Sequence, residues 1–132
     1  MRERSTRQKE AVADVFRRTR RPLSRCEVHH LAARRVPRIG FATVSRIIDG
    51  MIGRGEVVSV VVPGSEVRYE RPCSVRRPRL HCLTTGHVYT LAEACPEIPF
   101  PQIAGFQIDG FELIYRGVRT GRSGSEAVPG PA

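Results

Sequence analysis

Between residues 6 and 18, the apolar positions Ala11, Val12, Val15 and Phe16 fall at the three- and four-residue intervals that place side chains on one face of a helix. Arg17 and Arg18 close the segment, where cations suit the negative end of the helix dipole. Pro22 interrupts the pattern. Ser24-Arg25-Cys26-Glu27 is then an S-x-x-E capping box, and it predicts a second helix with Val28, Leu31 and Ala32 turned inward. Pro37 and Gly40 end it. A third helix is predicted within FATVSRIIDGMIGRG, from residue 41. At about 100° per residue, Phe41, Val44, Ile47, Ile48, Met51 and Ile52 share one side. Ala42, Thr43, Arg46, Asp49, Gly50 and Gly53 share the other, with Ser45 at the margin.

The pattern then changes to that of strands. Residues 56–62 read as one, Pro63-Gly64-Ser65-Glu66 as a turn, and residues 67–70 as the returning strand. Three helices followed by a hairpin is the order of a winged helix, whose third helix enters the major groove while the hairpin lies along the backbone. Beyond Pro72, residues 80–91 and 105–118 look strand-rich, the latter through Phe106, Ile108, Phe111, Leu113 and Tyr115. Between them ACPEIPFPQIAG carries three prolines and leaves room for a short helix at most. The expected class is α+β. An N-terminal winged helix-turn-helix domain spans residues 1–72, a small C-terminal α/β dimerisation domain spans 73–119, and a disordered tail follows over 120–132. The second domain is too small to bury both faces of a sheet by itself, which points to a homodimer.

Charge sharpens this picture. The chain has 132 residues and a formal net charge of +9. Residues 1–54 hold 14 Lys and Arg against 5 acidic residues, whereas residues 55–132 hold 8 against 8. A genome that favours Arg codons would spread the excess along the whole chain. Confinement to one half fits a module that faces a polyanion, with nucleic acid favoured over a membrane surface or an acidic protein, and double-stranded DNA is the partner expected. The outer face of the third helix agrees: its residues are small except for Arg46, so the backbone can press into a groove while a guanidinium reaches a base edge or phosphate. Arg46 is the first candidate for groove contact. Ala42, Thr43 and Ser45 are candidates for close approach, and Arg7 and Lys9 for gripping phosphate or the minor groove.

Other classes of function find little support. No apolar run approaches the roughly 20 residues of a membrane helix, and MRERSTRQKE lacks the apolar core of a secretory signal. A cytoplasmic protein without a membrane partner is expected. The four cysteines form no C-x-x-C pair, so packed thiols or stray ligands are expected rather than a disulfide framework. No Ser/His/Asp set, phosphate loop or paired carboxylates suggest an enzyme.

Several stretches taken together resemble the ferric uptake regulator family of bacterial metal-responsive repressors. STRQKEAVADVF is similar to that family's first-helix start, and FATVSRIIDGMIGRGEV to its recognition-helix signature. VRYE resembles the end of the wing, LHCLTTGHV a cysteine-bearing strand region, and GFELIYRGV the closing strand, all in the family's order over residues 5–119. The resemblance implies a dimeric, sequence-specific DNA-binding repressor acting on a palindromic operator. The family has a Tyr where Ser45 stands, so the preferred operator is expected to differ.

The metal ligands that the resemblance implies are mostly absent. A His-His-Asp-His run is replaced by Arg76-Arg77-Pro78-Arg79, and arginine offers no lone pair to a metal. Cys82 matches the first cysteine of the family's structural zinc, but Thr85 takes the second position, Arg119 stands where the later pair begins, and Phe111 replaces the closing-strand His. Glu70 and Glu97 match acidic positions and are expected to be salt-bridged carboxylates. No cofactor is therefore expected. The alternative is a zinc or iron sensor with a rebuilt site drawn from His81, Cys82, His87 and Glu70, with Cys73 nearby. If residues 81–87 form one strand, His81 and His87 share a face and Cys82 points away. His29 and His30 diverge by about 100° on their helix and read as partly exposed. A third possibility is a protein-binding antagonist that dimerises with another family member.

Overall fold

The structure, a computed structural model, describes residues 2–120. The tail expected from residue 120 lies, apart from Thr120, outside them. Three helices open the chain: α1 (Arg2–Arg18), α2 (Arg25–Ala32) and α3 (Phe41–Gly53). Helix α1 starts earlier than its apolar pattern does. Its first turn is polar and carries Glu3, a carboxylate suited to the positive end of the helix dipole. Ser24 caps α2 as the sequence requires. Its hydroxyl accepts the Glu27 N–H at 3.1 Å, and the Glu27 carboxylate accepts the Ser24 N–H at 2.9 Å. Beyond its C-cap Arg54, helix α3 is terminated by Gly55, whose φ of 76° only glycine adopts without strain. There the Gly55 N–H donates to the Ile52 carbonyl at 3.0 Å and the Glu56 N–H to Met51 at 2.9 Å, a Schellman pair.

The helices close over one core: Ala11, Val12, Val15 and Phe16 of α1, Val28 and Ala32 of α2, and Val44, Ile48 and Met51 of α3, with Leu23, Ile39, Val57 and Tyr69. The buried stripe of α3 is narrower than its periodicity predicts. Phe41 is 44% exposed and Ile52 37% exposed. Both sit in end turns, and Phe41 stacks edge-on against the His29 ring instead, at 5.9 Å.

Strands β1 (Val58–Val60) and β2 (Arg68–Glu70) pair antiparallel, Val58 opposite Glu70 and Val60 opposite Arg68. The first is shorter than the expected 56–62 because its flanks do other work: Val57 turns into the helical core and Val62 into a second apolar cluster. Leu23 adds a further rung, its N–H and carbonyl bonding those of Tyr69 at 2.9 and 2.8 Å. This ties the wing to the link between α1 and α2.

The second sheet has the order β4 (Val88–Thr90), β3 (Arg79–Cys82), β5 (Ile114–Gly117), with β3 and β4 antiparallel and β3 and β5 parallel. Residues 94–105, with their three prolines, form no helix, and only residues 114–117 of the expected strand over 105–118 find a partner edge. Val88 and Ile114 pack on Val60 and Val62, so one face of this sheet leans on the wing. Register places Arg79 beside Ile114 and His81 beside Val88, on that same face. Tyr115, paired with Leu80, belongs to the other face and is 48% exposed.

Candidate nucleic-acid interface

The outer side of α3 and the first turns of α1 form one shallow groove of about 380 Å³, lined by Ser5, Gln8, Lys9, Thr43, Arg46 and Arg54, among others. Lys9 of one predicted stretch thus meets Thr43 and Arg46 of another on one surface. Arg46 is exposed and held lightly, its guanidinium 3.4 Å from the Thr43 hydroxyl. Gly50 lines the groove too. A Cβ there would come within 3.2 Å of the Arg54 guanidinium, so its absence leaves that side chain room. Ala42 and Arg7 are exposed but lie outside the groove's lining. Ser5 and Gln8 lie in the polar start of α1, where no periodicity singles them out, and Arg54 is the C-cap of α3, bonded to Glu56 at 2.9 Å.

Ser45 has a different environment from that expected of a groove residue. Its hydroxyl and carbonyl both accept from Arg25 Nη1, the carbonyl at 3.0 Å. The same guanidinium donates from Nη2 to Asp49 at 2.7 Å and from Nε to the Tyr69 hydroxyl at 3.1 Å, lying 4.9 Å over that ring. Arg25 therefore joins α2, α3 and β2. Burial alone would lower the Arg25 pKa, but the bonds to Asp49 and Tyr69 outweigh it and raise it.

A second charged network joins the wing to the second sheet. Arg68, buried on β2, donates to Glu27 of α2 and to the Gly86 carbonyl, both at 2.7 Å. Glu27 also holds Arg21 at 2.9 Å, and His87 Nε2 lies 3.5 Å away. Burial pushes the Glu27 carboxyl up, but the Ser24 N–H and the Arg21 and Arg68 guanidiniums prevail and hold it below the ordinary value. Burial, with the charge of Arg21, holds the His87 imidazole below its ordinary value. Beside this network, Glu70 accepts from Arg79 and, at 2.8 Å, from the Thr90 hydroxyl. Glu70 is the salt-bridged carboxylate expected of it.

The four metal candidates are not brought together. Residues 81–87 do not form one strand but turn at Gly86, whose φ is 80°. This corrects the expected sharing of a face by His81 and His87: Val88 lies opposite His81, while the Cys82 N–H bonds the His87 carbonyl at 2.9 Å. His87 is directed to Glu27 and Tyr89, and Glu70 is taken by Arg79 and Thr90. Cys82 is the only buried cysteine among the four, and its thiol accepts from the Thr85 N–H at 3.5 Å. His81 is 6% exposed, and its Nδ1 has no partner among the described residues. Among those residues no three His, Cys, Asp or Glu side chains are placed to hold one ion. In this arrangement the side chains do not fit the metal that the resemblance implies. Also among them, no helix is long and apolar enough to cross a membrane.

Three comparisons with known proteins bear on this arrangement. A search of curated proteins finds no match. Solved structures with the same fold include a zinc-bound manganese uptake regulator, 19% identical, with a TM-score of 0.69 over 86% of this chain and 88% of that one. The Vibrio cholerae ferric uptake regulator is 18% identical, with a TM-score of 0.63 over 85% of this chain and 88% of its own. The Helicobacter pylori ferric uptake regulator, described as having three functional metal-binding sites, is 19% identical, with a TM-score of 0.61 over 83% and 77%. At such identities the likeness concerns the fold. The family model of the ferric uptake regulators matches residues 2–115, nearly the whole of the described chain. The chain belongs to the ferric uptake regulator family, a family of transcriptional regulators.

Proposed function

We propose that this protein is a dimeric, sequence-specific DNA-binding regulator, acting as a repressor, whose operator binding does not depend on the family's usual metal sites. The observation that carries this reading is the groove in which Lys9, Thr43 and Arg46 converge between α1 and α3. An exposed guanidinium on a helix with small neighbours suits a base edge, and a lysine one helix away suits the adjoining phosphate. Metal independence is supported by Glu70: its neighbour is the guanidinium of Arg79, a cation the chain supplies itself. The domain division proposed is residues 1–72 for DNA binding and 73–119 for dimerisation. Exposed Phe100, Ile103, Phe106, Tyr115 and Val118 support the latter as an apolar surface for a second copy.

The test is selection of binding sites from random duplexes with the native protein, with and without a strong chelator. A palindromic motif recovered equally in both arms is expected. No motif would remove the repressor reading, and a motif lost with chelator would remove metal independence. One observation favours a second reading, a zinc or iron sensor with a rebuilt site: the buried, unpartnered Nδ1 of His81. Stoichiometric metal in the purified protein, lost in His81→Ala, would establish it.

A further inference from the structure

Away from the α1–α3 groove, the end of α1 meets the base of the wing and the segment leading to β3 around a cleft of about 310 Å³. Its lining includes Arg17, Arg20, Arg21, Arg71 and Arg77, against a single carboxylate, Glu70. That carboxylate is already bonded to Arg79 and Thr90. Arg17 has partners in Glu10 and Asp14, and Arg21 in Glu27. Arg20, Arg71 and Arg77 have no carboxylate within 4.0 Å among the described residues. Arg77 is oriented by neutral acceptors, the Ala92 carbonyl and, at 3.4 Å, the Cys73 thiol. The bond from Arg77 also holds the Cys73 thiol below its ordinary pKa.

Arginines lining one concavity, three of them without a carboxylate partner among the described residues, suit the planar forks of phosphate and carboxylate groups. The volume lies at the lower end of small-ligand sites, about 300–1,000 Å³, and suits a compact molecule. The position separates it from the groove proposed to read DNA: from Lys9 to Arg18 the helix rises about 14 Å at 1.5 Å per residue.

We infer that this cleft binds a small polyanion carrying two or more phosphate or carboxylate groups, between the helical unit and the approach to the second sheet. Such a ligand would bridge Arg20 of the α1–α2 link, Arg71 at the end of the wing and Arg77 before β3. It would add a non-metal effector site to a chain whose metal candidates are dispersed.

The experiment is titration calorimetry of the full-length protein, without DNA, with inorganic pyrophosphate in one arm and citrate in the other. Saturable binding of one anion per chain is expected, at constant ionic strength, and the tighter arm tells phosphate from carboxylate chemistry. The triple variant Arg20→Gln, Arg71→Gln, Arg77→Gln should weaken that binding at least tenfold, while Arg46→Ala leaves it unchanged. Arg71→Gln alone, at an exposed residue, should weaken it several-fold with an unaltered melting temperature, so misfolding is not confused with loss of the site. Uptake without saturation in both arms would overturn the inference, as would saturable binding that the triple variant retains. Absence of anion binding, with loss of DNA affinity and a shallower salt dependence in the triple variant, would also overturn it and assign the cleft to the DNA backbone. Because no arm with ligand contains DNA, failure here leaves the proposed DNA reading standing, and the reverse holds as well.

Discussion

Arg46 and Arg25 are both arginines near α3, yet their surroundings give them opposite work. Arg46 is exposed, and among the described residues its one side-chain hydrogen bond is a long one to Thr43, which suits the base contact proposed for it. Arg46→Ala should cost about 1–3 kcal/mol on a selected site and relax preference at one position of each half-site, whereas Lys9→Ala should weaken all sequences evenly and reduce the salt slope by about 1. Selection repeated with each variant, beside salt titrations, checks both. Arg25 instead binds Ser45, Asp49 and Tyr69 at once. Its removal should destabilise the fold by about 1.5–3 kcal/mol, the range for hydrogen bonds to charged groups. Arg25→Lys should restore little of this, because an ammonium lacks the planar fork. Urea unfolding of the two variants decides, and equal stability of Arg25→Ala and the native chain would refute the assigned role. Ser45 could be placed on the helix margin from sequence. That a residue 20 positions earlier would occupy its hydroxyl could not.

At the scale of elements, the junction between wing and second sheet combines a small apolar cluster, Val60, Val62, Val88 and Ile114, with the Arg68–Glu27 pair. Glu27 has a folded-state pKa below its unfolded value, so the stability it contributes is present above the unfolded pKa, about 4.3. That contribution is lost as pH falls through the lower folded value. His87 is also lowered, so below its unfolded pKa of about 6.5 the unfolded chain takes up the proton more readily, and folding again weakens with acid. Both groups act in the same direction. Stability should therefore begin to fall below about pH 6.5 and fall further in the carboxylate range. Melting temperatures across pH 3–8 check this: His87→Gln should remove the upper part of the slope and Glu27→Gln the lower part. A flat profile from pH 7 to 5 in the native protein would contradict the assignment to His87.

For the whole molecule, two outcomes follow from the arrangement of charge and apolar surface. Folding is expected to survive strong chelation, because the polar clusters joining helices, wing and second sheet are closed by Arg68 and Arg79. Thermal unfolding with and without chelator measures it, and a large fall in melting temperature would show that a metal holds the fold. A dimer is expected at micromolar concentration through exposed apolar residues of the 73–119 segment, among them Phe106 and Tyr115, which are 75% and 48% exposed. Phe106→Glu with Tyr115→Glu should shift sedimentation to the monomer while helical content is kept. Unchanged sedimentation of that variant would place the interface elsewhere.

Sequence alone determined what depends on neighbours along the chain. The capping box at Ser24 is a four-residue device. Val44, Ile48 and Met51 are spaced by helical geometry, and the turn at Gly64 needs a residue that tolerates positive φ. The order of helices and hairpin, and with it the winged helix, was therefore legible, as were Thr43 and Arg46 on one helix face. Only the tertiary structure decided which distant side chains meet. It brought Lys9 to that face, gave Ser45 to Arg25, and directed His87 to Glu27 rather than to His81. The limits of β1 and β5 belong to the same class, since strand length is set by the partner edge and not by the strand's own pattern. The physical reason is range: helix periodicity, caps and turns are local, while ion pairs, sheet edges and clefts arise from groups whose distance is fixed only once the chain has folded.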